Sequence, residues 1–434
     1  MNTFSRSFSD RLLSDYNYTF NKNGVCGERL ANRLALLSGI GLTSDSGTNR
    51  MGFSKEERCA KDQVIEWMEE AGLTVQEDGA GNVIGTLYGD DQQHVIMAGS
   101  HVDSVPNGGH FDGPLGVLCA LEIVEAWKET GYKPQKTYEV VIFSDEEGSR
   151  FKSGLTGSTA MTGNADEVKL RSVKDVNGQA FGDVLQNVGL NADGFFRAKR
   201  DLNRVEVFYE VHIEQGKRLE QNNLPVGIVT GIAGPCWLEI SFKGKAGHAG
   251  NTPMNDRQDP LVAAGDFTRQ IPKLPREVSE SAVATVGQLH VYPNGINVIP
   301  GEVVMTVDIR DIKKESRDFL VSKVKKLAEN ISEQHGVKLS FQEKVRIPPV
   351  PIKNSVLMTV EKAVKLEHIH PFYLPSGAGH DAMMMGRQVP VGMIFVRSKD
   401  GISHHPDEWS SLNDCVQAVH VLKKSVEATM ERGV

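Results

Sequence analysis

No stretch of this 434-residue sequence approaches the 18 or so consecutive apolar residues that a membrane-spanning helix requires. The opening MNTFSRSFSDRLLSD lacks the apolar core of a secretory signal. The five cysteines, Cys26, Cys59, Cys119, Cys236 and Cys415, are odd in number, scattered and without a CxxC pair, which argues against a disulfide framework and suits a reducing compartment. A cytoplasmic protein is expected. There is no long basic block, and a net charge of −8 argues against nucleic acid or an anionic membrane as the main partner and leaves small molecules. Internal repeats and low-complexity tracts are also missing. The remainder has an ordinary globular composition, 39% hydrophobic and 24% charged, in a chain long enough that two domains are the default expectation.

Histidines and acids gather in GSHVDSVPNGGHFDGPLGV, residues 99–117, which holds His101, Asp103, His110 and Asp112. Imidazole and carboxylate are the ligands that zinc, manganese or cobalt accept, and a loop lets them converge. The apolar run HVIMAG precedes this segment. PLGVLCALEIVEAW follows, with Pro114 suited to a first helical turn and apolar residues at helical spacing through Trp127. The cluster therefore lies on a strand-to-helix connection, where open parallel sheets bind ligands. The same residues also suit a Gly/Pro-rich surface loop whose side chains make turns and a helix cap, and the loop alone leaves both readings open.

Along the chain, helices are predicted over Gly27–Leu42 and Lys55–Ala71, and a hairpin over Leu73–Tyr88 with its turn at Ala80-Gly81-Asn82. The strand YEVVIFS, Tyr138–Ser144, closes a βαβ unit, and right-handed crossover sets DEEGSRF beside the first loop. A polar helical region over Asp166–Asn191 leads to the strand-like FYEVHIEQG. From Cys236 the pattern alternates like a half-exposed antiparallel strand. The order strand, helix, two strands, helix and the strand KLSFQEK then describes an inserted α+β, ferredoxin-like unit. After RIPPVPIK the alternating α/β character returns, with VPVGMIFV as a strand and Asn413–Met430 as a last helix. The expected architecture is α/β: a discontinuous domain of residues 1–230 and 349–434 interrupted by a smaller one of residues 231–348.

Three further motifs carry candidate chemistry. DEEGSRF sets Asp145, Glu146 and Glu147 side by side, so that one carboxylate can ligate a metal while its neighbour faces substrate as general base; an acidic turn of this kind can also be merely solvated. His212 lies within VFYEVHIEQG, where a core histidine is equally at home, and Glu210 and Glu214 alternate onto its face in a manner suited to holding the imidazole. GISHHPDEW offers His404 and His405 in a Gly/Ser/Pro loop, with Asp407 and Glu408 nearby, as metal ligands or as a surface turn.

Taken in order, HVDSVPNGGHFDG, DEEGSRF, EVHIEQG, GHAGNTPM, GAGHDA and GISHHPDEW resemble the amidohydrolase branch of the di-metal aminoacylase/carboxypeptidase (zinc exopeptidase) superfamily. That branch holds N-carbamoyl-L-amino-acid hydrolases, allantoate amidohydrolases and β-ureidopropionases. The resemblance runs from about Gly27 to the C-terminus. It implies a zinc-exopeptidase-like catalytic domain with a mixed, mostly parallel sheet, and makes the inserted domain a dimer contact and lid, hence a homodimer. It further implies two divalent ions per subunit, zinc foremost, with manganese, cobalt or nickel also suited. His101, Asp112 and His212 would hold one ion, and Asp112, Glu147 and His404 the other, with Asp112 bridging. Glu146 would be the general base, Asp103 would orient His101, and the peptide Asp112-Gly113 would be cis.

In the insertion, His248 of FKGKAGHAGNTP would donate to the developing oxyanion, although such a Gly-rich turn is ordinarily a flexible loop. Asn297 and Arg310 would hold a substrate carboxylate, and Gln215 would contact a ureido group. Arg310, in TVDIRD, suits a surface salt bridge equally well. The activity implied is hydrolysis of an N-carbamoyl-L-amino acid to the amino acid, ammonia and carbon dioxide. Allantoate hydrolysis is the alternative, since both substrates pair a ureido group with a carboxylate, followed by β-ureidopropionase or dipeptidase activity. Two other classes stand beside these: a metal-dependent binding or regulatory protein without turnover, against which Glu146 beside Glu147 argues, and a mononuclear hydrolase of unrelated fold.

Overall fold

The computed structural model describes residues 2–432. They form two compact units, one from the residues up to Val229 with Ile352–Leu374 and those from His380 on, the other from Thr230–Pro351 with Pro375–Gly379. The sequence groups the start of SGAGHDA with the larger part. It belongs instead to the smaller unit, because the Ser376 carbonyl accepts from the Ala233 amide and the Gly377 carbonyl from the Arg310 guanidinium.

The sheet of the larger unit runs in the order Thr74–Glu77, Val83–Leu87, Lys136–Phe143, Asp91–His101, Val205–Ile213, Val391–Val396, Val226–Ile232. The four strands from Lys136–Phe143 to Val391–Val396 are parallel, and the flanking ones are antiparallel to their neighbours. Strands covered on both faces read as unbroken apolar runs, and the buried ends VIMAG, VVIF and GMIFV do so. All four parallel strands therefore end at one edge. His101 closes one strand, Asp145 follows another, His212 is the penultimate residue of the third, and the His404 loop follows the fourth.

Helix Pro114–Thr130 lies on the central strand, beside Gly27–Ser38 and Leu412–Arg432. Its approach depends on Gly116, where a Cβ would stand 2.3 Å from the Val211 carbonyl oxygen. A helix absent from the sequence-based expectations spans Thr3–Leu13. Asn2 caps it by accepting from the Ser5 amide at 2.7 Å, and Phe8 and Leu12, four apart, are buried. Among the described residues, no helix is long and apolar enough to cross a membrane.

The smaller unit contains an antiparallel sheet in the order Lys338–Arg346, Gly234–Lys243, Glu302–Asp311, Val283–Tyr292. Glu302–Asp311 alternates strictly between buried and half-buried residues, as a strand covered on one face does. Leu238, Phe242, Met305 and Ile309 on that face form a core with Phe267, Leu320 and Val324 of helices Pro260–Gln270 and Lys314–His335. Gly116→Ala is expected to lower the unfolding free energy by about 1–3 kcal/mol, since the helix must lift from the sheet. An unchanged urea midpoint would refute the close approach.

Candidate metal centre

Residues that each strand end delivers meet around Asp112. His212 Nε2 lies 3.0 Å and His101 Nε2 3.6 Å from Asp112 Oδ1, while His404 Nε2 lies 3.4 Å from Oδ2 and 3.4 Å from Glu147 Oε2. His101, Asp112 and His212 form one group able to hold a metal ion, and Asp112, Glu147 and His404 a second; within each group the ligand atoms lie within 4.8 Å of one another. One carboxylate therefore serves two ligand sets, one through each oxygen.

The tautomers suit a cation. His101 Nδ1 lies 3.2 Å from the Asp103 carbonyl oxygen and His212 Nδ1 2.9 Å from that of Ile213. A carbonyl oxygen only accepts, so Nδ1 carries the proton and Nε2 presents a lone pair inward. His101 Nε2 is buried without a hydrogen-bond partner, a defect that a metal ion would repair. Buried carboxylates crowd the same space, and such a group is costly unless cations neutralise it.

The protonation pattern has the same origin. Burial drives the Glu146 carboxyl well above its usual range, and the neighbouring Glu147, Asp381 and Asp103 add to this while His101 opposes it. Burial and Asp112 push Glu147 up to about 8. Asp112 is held well below its usual value because the three imidazoles outweigh its burial. The hydrogen bond to Asp112 takes His404 up to about 9.

Asp103 ties the first loop to the acidic run: Oδ1 accepts from the Glu146 amide and Oδ2 from the Glu147 amide, both at 3.1 Å, while Oδ1 lies 3.4 Å from His101 Nδ1. Glu146 reaches to 3.7 Å from His101 Nε2. Asp145 turns away into the interior, accepting from the Thr156 hydroxyl at 2.6 Å. Gln215 donates from Nε2 to Asp112 Oδ2 at 2.7 Å and lies 3.4 Å from His404 Nε2. His110 is a packing residue, with Nε2 2.9 Å from the Ser46 carbonyl oxygen and its ring against Phe4 and Phe8; burial lowers its pKa to about 4. His405 turns outward and accepts from the Asp407 amide.

Two expectations are corrected. Glu210 and Glu214 do not hold the His212 imidazole, whose Nδ1 faces the adjacent backbone carbonyl. Glu210 instead accepts from the Ser100 hydroxyl and the Ala382 amide, and Glu214 from the amides of Arg218 and Leu219. The Asp112-Gly113 peptide is not cis. Glycine is needed there for other reasons: its φ is 85°, and a Cβ would stand 2.4 Å from Cε1 of the His101 ring.

Sequence reasoning noted Glu408 only as an acid near the tandem histidines, without a role, and passed over Arg50. The Glu408 carboxylate accepts from the amides of Phe111 and Asp112 at 2.8 and 3.1 Å, with the Ser403 hydroxyl 2.9 Å from its other oxygen. Arg50, 1% exposed, donates to the carbonyl of Val102 in the first loop and to those of Leu37 and Ile40. An acid following the tandem histidines was a visible signal for the former. The sequence held none for the latter.

In the smaller unit, His248 and Asn297 lie together on a two-stranded ribbon, Gly247–His248 against Val298–Ile299. The Asn297 carbonyl accepts from the Ala249 amide, and His248 Nδ1 accepts from the amides of Gly250 and Asn251, so its Nε2 carries the hydrogen and points outward as a donor. Arg310 is not with them. The ribbon adjoins the Glu302 end of strand Glu302–Asp311, where the Gly244 amide donates to the Gly301 carbonyl. Arg310 stands near the other end, roughly 26 Å along the strand, paired with Asp308.

Residues 97–428 match the model of the Peptidase family M20/M25/M40. The chain is 45% identical to an N-carbamoyl-L-amino acid amidohydrolase of Geobacillus stearothermophilus, over 93% of this chain and 98% of the relative. It is 35% identical to an allantoate amidohydrolase of Bacillus subtilis, over 89% and 93% respectively. A crystal structure of an amidase of the hydantoinase/carbamoylase family from Burkholderia multivorans aligns with a TM-score of 0.87 at 32% identity, covering 95% of this chain and 99% of that one.

At pH 7 the metal-free protein holds protons on both Glu147 and His404, since their pKa values of about 8 and 9 lie above that pH. An ion at the Asp112, Glu147 and His404 group needs both as bases, so binding should release protons and apparent affinity should climb from pH 6 towards 9. Calorimetric titration with Mn²⁺ in buffers of different ionisation enthalpy checks this. Heats that do not depend on the buffer would refute it.

Proposed function

Because the chain belongs to the peptidase family M20/M25/M40, we propose that it is a binuclear metal-dependent amidohydrolase that cleaves the ureido C–N bond of an N-carbamoyl-L-amino acid, yielding the amino acid, ammonia and carbon dioxide. The observation that carries this reading is Asp112, shared between two ligand groups with the buried Glu146 beside them. The similarity to an N-carbamoyl-L-amino acid amidohydrolase supports the substrate class. The allantoate amidohydrolase among the relatives favours allantoate as the second reading.

His101, Asp112 and His212 would hold one ion, and Asp112, Glu147 and His404 the other; zinc suits the donor set, as do manganese, cobalt and nickel. Two divalent ions there supply Lewis-acid polarisation of the scissile carbonyl and acidify water. Glu146 accepts the proton of the attacking water and returns it to the leaving nitrogen, a task suited to a carboxyl whose pKa burial has raised. Asp103 orients His101 and holds the backbone of both glutamates, and Gln215 offers its amide to the ureido group. In the smaller unit, Arg310 grips the substrate carboxylate with its planar fork, while His248 donates from Nε2 to the oxyanion and Asn297 supports it. We place the protein in the cytoplasm, in keeping with its free cysteines.

The protein acts as a homodimer joined through the smaller unit. Its edge strand Val283–Tyr292 offers unpaired backbone and the exposed side chains Val283, Leu289 and Tyr292 to a second copy. Given the separation of Arg310 from His248, a single substrate would take the two from different copies, His248 being the one that the second copy donates. Mixed dimers of Glu146→Gln and His248→Ala chains should therefore recover activity that neither parent has, as read by ammonia release. No recovery would refute the shared site.

Glu146→Gln should lower kcat by about 10²–10⁴-fold with metal content near normal, because a proton acceptor is lost but no ligand. Residual turnover near wild type would refute its role. A panel of N-carbamoyl amino acids, allantoate, N-carbamoyl-β-alanine and a dipeptide tests the activity. Allantoate turned over best would replace the first reading with the second, and no hydrolysis of any would overturn both.

A further inference from the structure

His404 stands apart among the candidate ligands. The side chains of His101 and His212 are 1% exposed and that of His404 49%, and among the described residues none accepts from its Nδ1 as backbone carbonyls do for the other two. Its φ of 56° is a left-handed conformation, uncommon for a residue other than glycine. Something else must hold this loop in place.

We infer that the N-terminal helix Thr3–Leu13 is a brace that presses the His404 loop onto the Asp112 loop, with Phe8, Arg11 and Trp409 as positioning residues for the ion held by Asp112, Glu147 and His404. The Trp409 ring, directly after Glu408, lies 5.5 Å from Phe111 on the first loop and 5.5 Å from Phe8 on the helix. Phe8 also packs against the two residues that precede Asp112, with ring centroids 5.0 Å from His110 and 5.8 Å from Phe111. The Arg11 guanidinium covers the Trp409 ring at 3.7 Å, completing an aromatic and cationic box. Phe8 and Arg11, three apart, share one helix face. The helix is secured independently: Leu12 is 0% exposed, and the Ser9 hydroxyl donates to Asn32 of the following helix. Within the box, Glu408 holds the Phe111 and Asp112 amides, and Ser403 Oγ lies 2.7 Å from Asp112 Oδ2. The brace keeps these short contacts closed, so that His404 Nε2 stays opposite Glu147.

This inference rests on the two-ion reading, and direct ion counting separates the two. Mn²⁺ binding is measured by the paramagnetic resonance of the free ion for the unaltered protein, Phe8→Ala, Trp409→Leu and the conservative Trp409→Phe, together with the melting temperature of each without metal. The unaltered protein should bind two ions. Phe8→Ala and Trp409→Leu should keep one at nearly full affinity and bind the other about 10–100-fold more weakly, with Trp409→Phe largely restored. Two ions bound by Phe8→Ala as tightly as by the unaltered protein overturns the brace alone. Equal weakening of both ions with a lowered metal-free melting temperature also overturns it, since the helix then only supports the fold. Fewer than two ions on the unaltered protein overturns the two-ion reading and the brace with it.

Discussion

Asp112 turns one oxygen towards His101 and His212 and the other towards His404, and most of the catalytic architecture follows from placing that carboxylate in a buried position. A buried acid surrounded by further acids is tolerable only with positive charge on every side. Without metal, protons supply that charge, which is why Glu146 and Glu147 titrate high while Asp112 titrates low. The same need explains why the candidate ligands come from four parallel strand ends: no single element could put three imidazoles and two carboxylates around one point.

The acids of the site divide by what their oxygens face. Asp112 and Glu147 face imidazoles, whereas Glu408 accepts from backbone amides and Asp103 does so beside the His101 ring, both working as splints between segments. Asp145 points inward towards a buried ion pair, Lys61 with Glu57, in which Lys61 also donates to Ser144 at the base of the acidic run. Three adjacent acids thus have three surroundings, because successive residues at a strand end point in different directions.

The smaller unit is a one-sided sheet, and its geometry separates the side chains it offers. His248 is fixed as an outward donor by two backbone amides, and Arg310 is fixed at the far end by Asp308 and the Gly377 carbonyl. The outward-facing imidazole and the paired guanidinium are therefore two separate features of that unit, at opposite ends of one strand.

The α/β character, the parallel central strands and the metal-loop position were legible in the sequence because each depends on local pattern: apolar runs for covered strands, glycine and proline at turns, histidine and acid at strand ends. Which histidines converge is a property of the fold. His110 and Asp112 are two residues apart, yet one imidazole is sealed among aromatic rings and the other side chain bridges both ligand groups. Glu408 was visible as an acid after the tandem histidines but its role was not, and Arg50 and the helix at Thr3–Leu13 were not legible at all, since these roles are contacts across 296, 52 and roughly 400 residues that no local pattern encodes. The sequence by itself determined which chemical groups are available and the kind of element that carries each. Only the tertiary structure decided which of them share a charge, because burial and distance, the two quantities that set electrostatic interaction, exist only once the chain has folded.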